Sequence, residues 1–491
     1  MAETFGISKY PDADRIISQL DHLIKQPIYT IRQDKLQDYV ENYFNRKCLK
    51  SKAMIEEARE IIPGGVQHNL AFNYPFPLVI TKAEGAYLYD LDGNKYYDFL
   101  QAGGPTVLGS NPTSVRTKVI ELLNECGPST GLFHEYEYKL AKLISQHIKS
   151  VDMFRMLGSG TEACMGAIRV ARLATKKKHI LKMGGAYHGW SDQLAYGLRV
   201  PGSKWTQANG VPRNCFKYTQ EFFPNDLNDL EKKLRRNQLR GGTAAVMIEP
   251  VGPESGTRPL HYEFNKGVEA LCRKYGALLI FDEVVTAFRI GMSGAQGYYG
   301  VSPDLTVFGK VVAGGYPSAG GLGGKKEYMK YLGAGLDGAA KHKKALVGGT
   351  MAANPLSCVA GYYTLCEIDR TNATQKAGLF ADQLVAGLQR LIEKYKLPFV
   401  AFNQGSICHL ETVGTMHYSI NWSKPWQIPA VLKATSERKK EMEHMGAAYM
   451  AEGIVTLAGS RLYTSAAYED SMLPDILDRF DRVFQNVAIK A

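Results

Sequence analysis

Several features are missing from this chain, and each absence excludes something. Its eight cysteines, Cys48, Cys126, Cys164, Cys215, Cys272, Cys358, Cys366 and Cys408, are scattered and include no CxxC pair. A zinc site or a disulfide framework is therefore not expected; reduced, mostly buried thiols are. No uninterrupted apolar run approaches the about 18 residues a membrane span needs. The first ten residues also lack a basic stretch followed by an apolar one, so a cytoplasmic protein is expected. Internal repeats and low-complexity tracts are missing too. The net charge is +11, but the basic clusters at 176–178, 341–344 and 438–440 are short, dispersed and without interleaved aromatics. Nucleic acid is thus not an expected partner, although a basic surface speeds encounter with anionic metabolites.

What is present is enough for a large core: 491 residues, 45% of them apolar, which fits one large domain and a smaller one. Residues from about 12 to 60 read as mostly helical and stop at Pro63, Gly64 and Gly65. From 78 to 100 the pattern alternates around the Asp92-Gly93-Asn94 turn, as strands do. From about 115 to 330, helical stretches alternate with the short runs 178–182, 244–248, 277–281 and 305–308. That alternation predicts an α/β fold with a mostly parallel central sheet flanked by helices. A helix is expected from Pro355 to about Tyr395, followed by a mixture of short strands and helices.

Two of these runs end in ionisable groups. Residues 277–281 lead into Asp282, Glu283 and Val284, and residues 304–309 lead into Lys310, followed by the glycine-rich stretch 313–324, read as a loop. Open α/β sheets place their ligand sites at such carboxyl ends. An amine and a desolvated acid facing one crevice fit pyridoxal phosphate, which needs a lysine for a Schiff base and a carboxylate for its pyridinium nitrogen. A salt bridge from Asp282 to an arginine such as Arg289 is the structural alternative, and Val284 is placed to pack on the ring face. Residues 158–163 (Gly-Ser-Gly-Thr-Glu-Ala) open a helix. Free N–H groups with Ser159, Gly160 and Thr161 make a phosphate cradle there, or Ser159 or Thr161 is simply a helix cap. Tyr187, in Gly185-Ala-Tyr-His188-Gly189, can stack on a flat heterocycle or merely pack. Glu249, between Ile248 and Pro250, ends another strand and could equally be a structural ion-pair partner.

In combination these stretches resemble the class III aminotransferases of fold type I, closest to the glutamate-1-semialdehyde aminomutase-like branch. The likeness runs from about residue 60 to the end, and also rests on 62–66, 85–94, 168–172, 294–300 and 303–305. It implies a fold type I enzyme with a smaller α+β domain from both termini: a helical extension at 1–58, small-domain residues 59–110, a large cofactor domain at 111–370 and a C-terminal small domain at 371–491. It implies that Lys310 is the Schiff-base lysine, Asp282 the nitrogen partner, Tyr187 the stacking ring with His188 beside it, and Ser159, Gly160 and Thr161 the phosphate cradle. Thr350 matches the threonine that reaches the phosphate from a neighbouring subunit, so a homodimer with shared active sites is implied.

The expected activity is transfer of an amino group between an amine or amino acid donor and a carbonyl acceptor. The chain departs from the aminomutase pattern where those enzymes carry an arginine for the substrate carboxylate: Gln67 to Phe76 holds none. Glu254 also stands where they carry an asparagine. His68, Phe72 and Tyr74 are then candidate pocket walls, with Glu254 on the substrate side. Aminomutase, racemase and decarboxylase activities remain alternatives with the same cofactor. An inactive protein of the same fold, or an unrelated nucleotide binder using the glycine turn, remains an alternative of another class.

Overall fold

The computed structural model describes residues 4–71, 73–203, 209–333 and 343–490. The chain divides into two compact units. The first comprises Met1–Phe5, Thr113–Asn372 and Ser419–Ile428; the second comprises Gly6–Pro112, Ala373–Tyr418 and Pro429–Ala491.

The first unit is built on a seven-stranded sheet. Its strands in chain order are β1 (Met153–Leu157), β2 (His179–Met183), β3 (Thr219–Phe222), β4 (Thr243–Ile248), β5 (Leu278–Asp282), β6 (Leu305–Gly309) and β7 (Gly320–Gly324). In space they run β1-β7-β6-β5-β4-β2-β3. Pairing is parallel from β6 through β3, and only β7 in this sheet runs against its neighbours. Every residue of β2, β4, β5 and β6 is buried. A parallel sheet covered on both faces reads as continuous apolar runs rather than alternation, which is why these strands are visible in the sequence. The helix Gly160–Thr175 packs Ala163, Ala167, Ile168 and Ala171 into the sheet core.

Three features differ from the sequence expectation. The stretch read as a glycine loop contains β7, whose five residues are Gly-Gly-Leu-Gly-Gly and all buried. Glycine lacks strand propensity, but here close approach requires it: a Cβ on Gly321 would lie 2.5 Å from the Phe154 ring. β1 and β3 were not foreseen, because Arg155 interrupts the first and Gln220 and Glu221 the second. The helix expected after Pro355 is two, Pro355–Thr371 and Ala373–Lys394, parted by Asn372 in a left-handed conformation.

The second unit contains the expected hairpins. Ile80–Glu84, Tyr87–Asp90 and Lys95–Asp98 pair antiparallel, with Ile454–Val455 parallel to the last. Asp92, in the hairpin turn, accepts the Lys50 and Ser51 N–H groups at 2.7 and 3.0 Å and so caps the helix Leu49–Ala58. The N-terminal stretch is mostly helical, as read, but Tyr29–Ile31 is a strand paired with Val487–Ile489. The segment Ser419–Ile428, grouped with the C-terminal part in the sequence reading, belongs to the first unit.

Candidate active site

β1, β2, β4, β5 and β6 point the same way, so the segments that follow them gather at one edge of the sheet. Asp282 is the last residue of β5 and pairs with Val307 on β6, three residues before Lys310. Lys310 follows Gly309 in a left-handed conformation, φ +49°, and is half-buried.

The surrounding segments interlock. Val284 touches two of them: a Cβ on Gly160 would lie 2.8 Å from one Val284 methyl, and a Cβ on Gly309 2.8 Å from the other. Gly189 presses as tightly on Thr161, where a Cβ would come within 2.3 Å of the hydroxyl oxygen. The turn after β1, the loop after β2 and the ends of β5 and β6 thus form one site.

Asp282 is buried, and its Oδ2 lies 2.6 Å from His188 Nδ1. The Cys164 thiol donates to the same oxygen at 3.7 Å, and the Val284 N–H donates to Oδ1 at 3.1 Å. His188 Nε2 is buried without a hydrogen-bond partner. A second ring proton would find no acceptor there, and burial lowers the His188 pKa despite the Asp282 contact. His188 is therefore a neutral imidazole that donates from Nδ1. Burial, with the Asp282 charge, holds the Cys164 thiol well above its ordinary pKa, so it stays protonated. The ligand atoms of Cys164, His188 and Asp282 lie within 4.8 Å of one another, close enough for an ion. As placed, however, the thiol and the imidazole both hydrogen-bond Asp282 Oδ2, so the trio is a set of donors gathered on one buried carboxyl group.

Glu249, at the end of β4, accepts N–H bonds from Tyr187 (2.9 Å) and Glu254 (3.0 Å) on Oε1 and from Ser255 (2.7 Å) on Oε2. Burial, then the Asp282 and Glu254 charges, push its carboxyl above the ordinary glutamate range, while these bonds act in the opposite sense. Tyr187 as a residue keeps 47% of its surface exposed. At the start of the helix Gly160–Thr175, Ser159 Oγ accepts the Glu162 N–H at 3.2 Å and Glu162 accepts the Gly158 N–H at 2.8 Å. The cap reading of this turn is thus realised, and a phosphate at the same N-terminus would use its remaining N–H groups.

Of the candidate substrate residues, Glu254 has a mostly buried side chain and faces Arg199 at 3.9 Å. His68 and Tyr74 belong to the second unit. His68 Nδ1 accepts the Leu70 N–H at 3.1 Å, and the Tyr74 ring lies 5.1 Å from that of His444. Phe72 lies outside the described residues. Thr350 is exposed on the single chain. Two residues escaped the sequence reading. Cys164 carried no signal, but Lys182 did: it is a lysine inside a strand that is buried throughout.

These groups fit pyridoxal phosphate. A buried Asp side chain ringed by neutral donors suits a pyridinium N–H, the glycines leave room where a Cβ would collide, and a lysine stands at the neighbouring strand end. Sheet and site together define an α/β enzyme of the fold type I, pyridoxal phosphate kind. Comparison with known proteins narrows this further. The sequence model for class-III aminotransferases matches residues 70–457. A glutamate-1-semialdehyde 2,1-aminomutase of Lachnoclostridium phytofermentans is 33% identical over 446 residues, covering 89% of this chain and 99% of the relative. An omega-transaminase from Sphaerobacter thermophilus superposes with a TM-score of 0.78 at 26% identity, over 91% of this chain and 99% of that one. A glutamate-1-semialdehyde aminomutase from Pseudomonas aeruginosa PAO1 shares the fold, with a TM-score of 0.76 at 20% identity over 98% and 100% of the two chains. The chain belongs to the class-III aminotransferase family, and it is a pyridoxal-phosphate-dependent transaminase. Among the described residues, no helix is long and apolar enough to cross a membrane.

Proposed function

We propose that Lys310 and Asp282 are the catalytic pair of an intermolecular transaminase, which moves an amino group from an amine or amino acid donor to a separate oxo acid, ketone or aldehyde. The observation that carries this reading is their placement at the carboxyl ends of two adjacent parallel strands. When bound, the cofactor supplies an aldehyde that captures amines and a pyridinium ring that draws electrons from the substrate carbon. Lys310 would hold that aldehyde through Nζ and, as the free amine, would take up at Nζ the proton leaving the substrate carbon and give it back to complete the transfer. Asp282 holds the ring N–H and is itself held by His188. Tyr187 and Val284 would pack against the ring. Ser159, Gly160 and Thr161 hold the phosphate, and Glu249 fixes the Tyr187 backbone. Thr350 would reach the phosphate of a second copy, giving a homodimer with shared sites.

The test is a 15N-labelled amine donor offered with a separate carbonyl acceptor. Label is expected in the aminated acceptor, and none with Lys310→Ala. Nitrogen that moves only between positions of one molecule overturns the reading. That second outcome is what an aminomutase gives. The aminomutase alternative is favoured by the 33% identity to a protein of that name; the arginine-free run from Gln67 to Phe76 and the acid at Glu254 weigh against it.

A further inference from the structure

Lys182 is completely buried on β2, the strand next to the edge strand β3. Its Nζ donates to three backbone carbonyls of the loop that follows: Ala186 at 3.1 Å, Leu194 at 3.3 Å and Tyr196 at 2.7 Å. Three acceptors match the three N–H bonds of an ammonium, whereas a neutral amine would leave one carbonyl facing a lone pair. Burial pulls the Lys182 pKa down, and the charges of Glu221, Glu249 and Glu254 pull it back up.

The Ala186 carbonyl and the Tyr187 N–H belong to the same peptide unit. The oxygen of that unit is held by Lys182 and its N–H by Glu249 Oε1 at 2.9 Å. A buried ammonium and a buried carboxyl group therefore grip one peptide plane from opposite sides, immediately before the Tyr187 ring and two residues before His188. Hydrogen bonds to charged groups are worth about twice neutral ones, and a peptide fixed at both ends cannot swing. Glu249 extends the grip to the turn after β4, where Glu254 and Ser255 both take left-handed conformations, φ +53° and +60°. Two left-handed residues with a Cβ persist only where their surroundings impose them.

We propose that Lys182 is a positioning residue, whose ammonium acts with the Glu249 carboxyl oxygen to clamp the Ala186–Tyr187 peptide and thereby sets Tyr187 and His188 for the transamination site. The cofactor part of this inference rests on the roles given to Tyr187 and His188 above; the clamp itself does not.

The test uses Lys182→Met and Lys182→Gln in the full-length apoenzyme, reading amide hydrogen exchange residue by residue, cofactor dissociation and the visible circular dichroism of bound cofactor. The expected result is exchange at the Tyr187 amide accelerated tenfold or more with β4 and β5 unchanged, cofactor Kd raised about tenfold, and a weakened dichroic band. Lys182→Met combined with Glu249→Gln is expected to cost less than the two single effects combined, because both groups act on the same peptide unit and either loss already frees it. Folded variants with parental exchange at Tyr187 overturn the proposal. Uniformly faster exchange across the sheet, or failure of both variants to fold, also overturns it, since Lys182 is then a scaffold residue. Faster Tyr187 exchange with unchanged cofactor affinity and dichroism supports the clamp and rejects Tyr187 as the stacking ring.

Discussion

Gly189→Ala tests whether the spacing between two loops governs the site. Gly189 has φ +84°, and a Cβ there would lie 2.3 Å from Thr161 Oγ1 and 2.7 Å from Thr161 Cα, whereas ordinary contact begins at 3.4 Å. The hydroxyl can rotate away but the Cα cannot, so the loop carrying Tyr187 and His188 must separate from the Ser159–Thr161 turn by about 0.7 Å. The left-handed conformation adds about 1–2 kcal/mol of strain. That strain corresponds to a fall of about 1–2 °C in the Tm of the apoenzyme. The displacement matters more for function, since about 1 Å of misplacement costs about 100-fold in rate. Gly300→Ala is the control, because Gly300 has φ +62° and nothing within 4 Å of an added Cβ. Differential scanning calorimetry of the apoenzyme, cofactor titration and kcat/KM are measured on both variants. Both are expected to lose stability, but only Gly189→Ala to lose about tenfold or more in cofactor affinity and about 100-fold in kcat/KM. Parental affinity and activity in Gly189→Ala would refute the argument that this contact sets the site.

Replacing His188 by Phe removes the donor 2.6 Å from Asp282. A hydrogen bond to a charged group is worth about 1.5–3 kcal/mol, so kcat is expected to fall about 10- to 150-fold, and kcat within twofold of the parent refutes the role. Glu411 is buried, and burial pushes its carboxyl up to about 7 against the opposing pull of Arg461. The unfolded chain ionises this group near the ordinary 4.5, so native stability falls as pH rises from there to about 7 and the loss then stays constant at about 3 kcal/mol. Glu411→Gln is therefore expected to raise Tm at pH 8 and to change it little at pH 5; an equal shift at both pH values contradicts the assignment.

The parallel core was legible because burial on both faces leaves unbroken apolar runs, and β4, β5 and β6 sit where 244–248, 277–281 and 305–308 were read. Chemistry at their ends was legible for a related reason: an acid or a lysine directly after such a run stands out against it. Elements whose pattern is broken by polar residues were hidden. β1 carries Arg155 and β3 carries Gln220 and Glu221, and their pairing comes from neighbours distant in sequence. Lys182 was overlooked because it sits within a strand, where its three carbonyl partners arrive from a loop the linear sequence does not place. His188 was visible only as a neighbour of Tyr187; its bond to Asp282, 94 residues away, needs the fold.

β7 joins these two kinds of failure. Gly320 pairs with Leu157 on one side and with Gly309 on the other, so it lies between the strand that leads to Ser159 and the strand that leads to Lys310. A Cβ on Gly320 would stand 2.3 Å from the Ser159 carbonyl oxygen. Any side chain there would push the helix-start turn away from the lysine strand. The composition that makes β7 look like a loop is thus the one that lets the two halves of the site approach. Where backbone must pass close to backbone beside a site, side chains are removed, and the periodicity from which strands are read is removed with them. Sequence patterns are weakest at β7 for the same reason that the geometry there is most constrained.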